Sequence, residues 1–385
     1  MNAFAATAVD AASPSTILDV ARELGPILAQ RADEQTDEDQ FVAENFESLK
    51  ASGLVEAGVP RELGGGGADI DELAATLQTL AYHCGSTALA LAMHTHQVAI
   101  SAWRWRHQKA TAVEPLLRRI ARERIWLVSS GGSDWVAGSG QAEKVDGGYR
   151  ITARKIFASG APAGTLLMTS AISEPETERA TVLHFAVPMN SAQVQVLDTW
   201  HTLGMRGTGS HDVLISGHFV ADSEITVRRK AGEWHPLFHA IGTMALPLIY
   251  SVYVGIAESA RDIAIGLAKR KQPNHSAIDL AGRMETELTA ARLAYQSMLS
   301  VVRLNAPSAE TVNQVMIGRS LVARHAIAAV ELAMELAGGA GFYRSAGLER
   351  RFRDIQGARY HPLRSGVQAE YAGAMALGLP VDQIF

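Results

Sequence analysis

Apolar residues recur at helical spacing over the first third of the chain. Ile17, Val20, Ala21 and Leu24 share one face of a first helix, with Ser13-Pro14 as its cap and first turn. Val42, Phe46 and Leu49 mark a second, preceded by a Thr36/Asp39 capping-box pattern and stopped by Gly53. Ile70, Leu73, Leu77 and Leu80 mark a third, after the run Gly64 to Gly67. That run reads as a turn, because no strand clearly precedes it and no Lys-Ser/Thr pair follows. Near Ile125 the period changes. Trp126 to Val128, Tyr149 to Ala153, Thr165 to Ala171, Val182 to Val187, Val194 to Leu197 and Asp212 to Val220 read as strands. Asp146-Gly147-Gly148 is a tight-turn signal among them. From about Ala231 the helical period returns, over Ile278 to Leu304, Ala309 to Ala337 and Ser365 to Leu377. The order is helices, strands, helices. It argues against a doubly wound nucleotide fold, which alternates the two.

One segment, Ala240 to Ala257, carries no charge and is long enough to suggest a membrane span. Pro247 sits in its middle and no basic cluster flanks it, so the expectation is a buried core helix and no membrane span.

Composition narrows the class. The chain has 385 residues and a net charge of −5, with 35 basic against 40 acidic side chains, and no strongly basic surface of the kind a nucleic-acid binder shows. The lone cysteine, Cys84, excludes an intrachain disulfide and cysteine-rich zinc sites, and fits a reducing compartment. The first ten residues lack a basic segment and reach Asp10, unlike a signal peptide. The expectation is a cytoplasmic enzyme.

Four stretches could carry chemistry. Ser129-Ser130-Gly131-Gly132-Ser133-Asp134 offers hydroxyls and backbone N–H groups that suit a phosphate or the polar edge of a ring, and it reads equally as an ordinary loop. Phe157 and Ser159 put a flat aromatic beside a hydroxyl at a strand end; a half-buried strand is the plainer alternative. Trp200 to Asp212 holds three glycines within six residues, with Arg206 as a candidate anion partner. Gly338-Gly339-Ala340-Gly341-Phe342 ends a helix ahead of the charged run Leu348 to Asp354, which reads as a solvated face.

In this order, the stretches resemble the acyl-CoA dehydrogenase family of flavoproteins. Pro60-Arg61-Glu62-Leu63-Gly64-Gly65, Gly132-Ser133-Asp134, the Asp-Gly-Gly-Tyr turn with Lys155, Leu203 to Ser210, and Gly338 to Phe342 with Arg353-Asp354 carry the resemblance over nearly the whole chain. It implies an α+β, mainly helical fold: an N-terminal helical domain (1–123), a central β-sandwich or barrel domain (124–229) and a C-terminal four-helix bundle (230–385). It further implies bound FAD, or FMN, and a homotetramer. Carried over residue by residue, Ser129, Ser130, Ser133, Phe157 and Ser159 fall on the flavin side. Gly338 and Gly339 fall where the family meets the partner subunit's cofactor. Glu335 stands where a glutamine is common, and Lys271 stands near an arginine-plus-phenylalanine motif whose phenylalanine is absent.

The family's dehydrogenases need a carboxylate at the substrate α-carbon. An ungapped count puts Pro362 and Ala245 at the two places where that base occurs, and neither can take a proton. His361 sits beside the first place. Monooxygenases that resemble this family use reduced flavin and O2 with a histidine in that region, and His94 and His96 fall where they line the pocket. The expectation is therefore flavin-dependent monooxygenation of a small molecule with His361 as the catalytic group, electrons coming from a flavin reductase or electron-transfer partner. Acyl-CoA dehydrogenation with a displaced base, and a non-catalytic binding protein on the same fold, stay open. His94 and His96 are two residues apart and diverge on a helix, so no metal is expected.

Overall fold

The computed structural model describes residues 16–34, 40–130, 136–174, 180–270 and 272–381. The expected caps at Ser13-Pro14 and Thr36/Asp39, the flavin-side Ser133 and Lys271 lie outside the described residues.

Five helices come first: α1 (Ile17–Glu34), α2 (Ala43–Ala51), α3 (Ile70–His83), α4 (Gly85–His107) and α5 (Glu114–Glu123). The start of α3 is fixed by a reciprocal cap. Asp69 accepts from the backbone N–H groups of Asp71 and Glu72, while Glu72 accepts from that of Asp69, each at 2.9 Å. The glycine run before it is a turn, with Gly64 and Gly67 in the left-handed region.

Eight strands follow: β1 (Leu127–Ser129), β2 (Gln141–Val145), β3 (Gly148–Lys155), β4 (Leu166–Ser173), β5 (Thr181–Pro188), β6 (Val194–Val196), β7 (Val213–Ala221) and β8 (Val227–Lys230). They form one hydrogen-bonded sheet in the order β6-β7-β3-β2-β4-β5-β8, with β1 pairing parallel to β4. The Asp146-Gly147 turn joins β2 to β3 in an antiparallel hairpin. Strand β8 has no apolar signature, since it reads Val-Arg-Arg-Lys. It pairs with β5 because Arg229 turns inward: only 4% exposed, it donates to Val136 O and to His184 Nε2 and lies over the Phe238 ring.

The chain ends in α6 (Leu237–Ala268), α7 (His275–Val302), α8 (Ala309–Ala337), α9 (Leu348–Ile355) and α10 (Ser365–Ala376). The uncharged stretch is the centre of α6, whose most apolar window is 94% buried. It packs against α7 and α8 on one side and α3 and α4 on the other. At Gly255 a Cβ would stand 2.3 Å from the Gln78 carbonyl oxygen, so glycine there lets α3 come close. The charged run of α9 is not simply solvated: Leu348, Asp354 and Ile355 are buried, and Arg351 donates to Ser259 Oγ on α6.

Candidate active site

Two sets of side chains, one from the sheet and one from the helices, meet at the loop between β6 and β7. On the sheet side the chain leaves β3 into Phe157, a non-glycine residue with φ of +57° whose ring stays 51% exposed. Such a backbone costs about 1 kcal/mol and tends to persist where a side chain must be aimed. The ring stands edge-on to Trp200, with centroids 6.0 Å apart. Next to it, Ser159 is 7% exposed and its Oγ lies 2.7 Å from Ser210 Oγ. Ser210 Oγ in turn lies 2.6 Å from Thr208 Oγ1, which donates to the Met205 carbonyl. The Thr208 proton is thus used, so Ser210 donates to Thr208 and Ser159 donates to Ser210. The Ser159 oxygen is left as an acceptor.

Met205 joins the two sides. Its carbonyl also accepts from Trp200 Nε1, and its backbone N–H donates to buried Asp354 at 2.5 Å. Its φ is +57°, and its side chain reaches toward Gly357. Burial pushes the Asp354 carboxyl up, and the Met205 N–H and nearby arginines pull it partly back. The close approach depends on Gly204, where a Cβ would stand 2.2 Å from the Arg353 carbonyl oxygen. Gly204→Ala should lower stability by about 1–3 kcal/mol in denaturant titrations, because that backbone oxygen cannot yield without moving α9.

On the helical side, His361 Nε2 lies 2.5 Å from the hydroxyl of Tyr253 on α6. Burial, the Arg319 charge and His96 lower the imidazole pKa to about 3, and burial raises the Tyr253 phenol well above its ordinary value. Both are therefore neutral near pH 7. The phenol is the more acidic partner and donates to Nε2, which leaves the ring proton on Nδ1. Among the described residues Nδ1 has no hydrogen-bond partner. His96 is the complement. Its Nδ1 donates to the Ala92 carbonyl at 3.1 Å, so Nε2 is an open acceptor, and burial holds its pKa near 4.

His94 is held differently. Fully buried, it donates from Nε2 to the Val55 carbonyl at 2.8 Å and accepts the Leu127 N–H on Nδ1 at 2.9 Å. It also stacks on Trp126. Both nitrogens are consumed, so His94 braces α4 against the start of the sheet. Ser129 and Ser130 close β1 close by in sequence, and Ser130 Oγ donates to Thr169 Oγ1 at 2.7 Å. Gly338 and Gly339 are not brought to this site. They are exposed at the end of α8, with open space around both.

Sequence reasoning gave no site role to Tyr253, Met205, Asp354 or Arg319. Met205 and Asp354 had a signal, the glycines around the one and the Arg-Asp pair of the other. Of the positions counted for a dehydrogenase base, Ala245 is buried inside α6, and the nearby Glu370 is exposed on α10.

Three family models match in chain order: acyl-CoA dehydrogenase N-terminal domain over residues 17–119, middle domain over 129–217, and C-terminal domain over 248–365. The amino sugar nitrososynthase DnmZ of Streptomyces peucetius is 27% identical over 94% of this chain and 93% of its own. A dibenzothiophene monooxygenase of Mycolicibacterium goodii is 30% identical over 64% of this chain and 61% of its own. Among solved structures, KijD3 in complex with FMN and a dTDP-3-amino-4-keto sugar superposes with a TM-score of 0.87 at 25% identity, covering 97% of this chain and 96% of that one. The chain belongs to the acyl-CoA dehydrogenase family.

Proposed function

We propose that the protein is a flavin-dependent monooxygenase that oxygenates a small molecule with O2 and reduced FMN or FAD. The observation that carries this reading is the pair of open, neutral imidazole nitrogens, His361 Nδ1 as donor and His96 Nε2 as acceptor, in place of a carboxylate base. In the family's dehydrogenases the α-proton is taken by a carboxylate. Oxygen transfer needs instead a water-poor pocket whose groups hold a proton without carrying charge.

The sheet-side residues fit a flavin. Phe157 offers an exposed, rigidly aimed ring for stacking, and Ser159 offers an acceptor suited to the N–H of a reduced flavin. Ser129, Ser130 and Ser133 are assigned to the same cofactor. When bound, reduced flavin supplies two electrons, so that one oxygen atom enters the substrate and the other leaves as water. The protein's part is to orient and to manage protons: His361 Nδ1 holds a proton on the substrate side, and the Tyr253 hydroxyl behind it fixes the ring.

The domains are read as 1–123, 124–229 and 230–385. A homotetramer is part of the same reading, supported by the exposed Gly338, Gly339 and Phe342, the last 83% exposed, which would face a partner subunit's cofactor. A separate flavin reductase is expected as electron donor, in the cytoplasm, where the buried free Cys84 stays reduced.

The test supplies FMN or FAD, a flavin reductase and 18O2, with dibenzothiophene and an amino-sugar nucleotide as probes. The expected result is one 18O atom per product. Bleaching of bound flavin by an acyl-CoA series without oxygen, with no 18O product, would overturn the reading.

A further inference from the structure

Arg319 is the second largest fully buried side chain and is 0% exposed. Among the described residues no carboxylate pairs with it, and its Nε has no partner. A buried guanidinium without an anion is costly by several kcal/mol and so points to a purpose beyond packing. Nη1 makes a long contact to the neighbouring Ser320 Oγ at 3.4 Å, and its other partners are backbone carbonyls on one short stretch. Nη2 donates to His361 O at 2.9 Å and to Ala358 O at 3.3 Å, and the guanidinium lies 5.3 Å from the centre of the Tyr250 ring. Tyr250 donates to the same Ala358 carbonyl at 2.7 Å. The turn that carries the imidazole is thus held from α8 and α6 together, and its ring is held by Tyr253 one helical turn further along.

We propose that Arg319 is a positioning residue for His361: it fixes the backbone from Ala358 to the histidine and places a permanent positive charge behind the ring. The proposal rests on the reading of His361 as the catalytic group. The groups facing the imidazole are Tyr250 and Tyr253 from α6, Arg319 from α8 and His96 from α4, with Asp354 of α9 behind Tyr253. Two of them lower its basicity by charge, and Arg319 is the larger of the two. A permanent cation is suited to this because it does not itself titrate.

The full-length chain is made as Arg319→Met, Arg319→Lys and His361→Ala, with 13C-labelled histidine and the missing resonance of His361→Ala as the assignment. In the unaltered protein His361 should show no titration above about pH 4. Arg319→Met should raise the His361 titration measurably while burial still holds it well below the ordinary value, and Arg319→Lys, keeping the charge, should not raise it. Product per O2 consumed should fall about tenfold in Arg319→Met, because the backbone that carries the imidazole is no longer held, with KM for the substrate unchanged, and recover in part in Arg319→Lys. An unshifted His361 titration and an unchanged yield in folded Arg319→Met would overturn the proposal. If the Met variant does not fold, Arg319→Lys decides: its shorter reach and single ammonium should hold the two carbonyls less well and cost yield, and an unchanged yield would overturn the proposal. Wild-type yield in His361→Ala sinks the catalytic reading of His361, while the titration still judges Arg319 by itself.

Discussion

His361→Ala should cut product formed per O2 consumed by about 100-fold or more, with oxygen uptake continuing and hydrogen peroxide taking the place of product. A fixed hydrogen-bond donor aimed at developing charge contributes about 10²–10³, and His361 Nδ1 is the open donor of the pair. Reduced flavin reacts with oxygen without help, so loss of the imidazole uncouples the reaction instead of stopping it. The variant also strips the buried Tyr253 hydroxyl of its partner, which costs about 1–3 kcal/mol of stability. Tyr253→Phe separates the two effects. It keeps the imidazole but frees the ring, and a loss of about tenfold is expected. Because the His361 pKa lies near 3, the acid side of the coupling profile should be flat from about pH 5 upward. Product and peroxide measured together across pH decide it. A His361→Ala enzyme with an unaltered ratio would remove His361 from the chemistry.

The fold was legible where pattern is local. Helix α8 runs over Ala309–Ala337, as its periodicity requires, and the Asp146-Gly147 turn makes the hairpin its residues demand. The charged strands β2 and β8 were not legible. Nothing in Gln141–Val145 or in Val-Arg-Arg-Lys alternates cleanly, and their place is set by partners in β3 and β5. The site follows the same rule. Phe157, Ser159 and His361 stand out by type or by resemblance. Tyr253, Met205, Asp354 and Arg319 come from four separate segments, and each acts through a contact more than 40 residues away in the chain. The role of His94 was equally hidden, since the carbonyl of Val55 and the N–H of Leu127 reach it only in the folded chain.

That brace leads to a steep loss of stability in acid. Burial holds the pKa of His94 and of His96 near 4, and an unfolded histidine titrates near 6.5. Above about pH 6.5 both states carry neutral rings, and pH has no effect through them. As pH falls below that value the unfolded chain takes up protons that the folded chain refuses. Stability is therefore lost progressively down to about pH 4, by roughly 3 kcal/mol for each ring. The two together rival the whole stability of a typical domain, about 5–15 kcal/mol, so unfolding should set in near pH 4.5. His94→Gln isolates one share. At pH 7 it should lose about 2–4 kcal/mol, because the Leu127 N–H and the Val55 carbonyl are no longer met in the same geometry. Its slope of stability against pH should be shallower by one proton, since glutamine does not titrate. Denaturant titrations of both proteins at pH 7, 6 and 5 measure the two slopes. Equal slopes would show that His94 does not hold out against protonation in the folded chain.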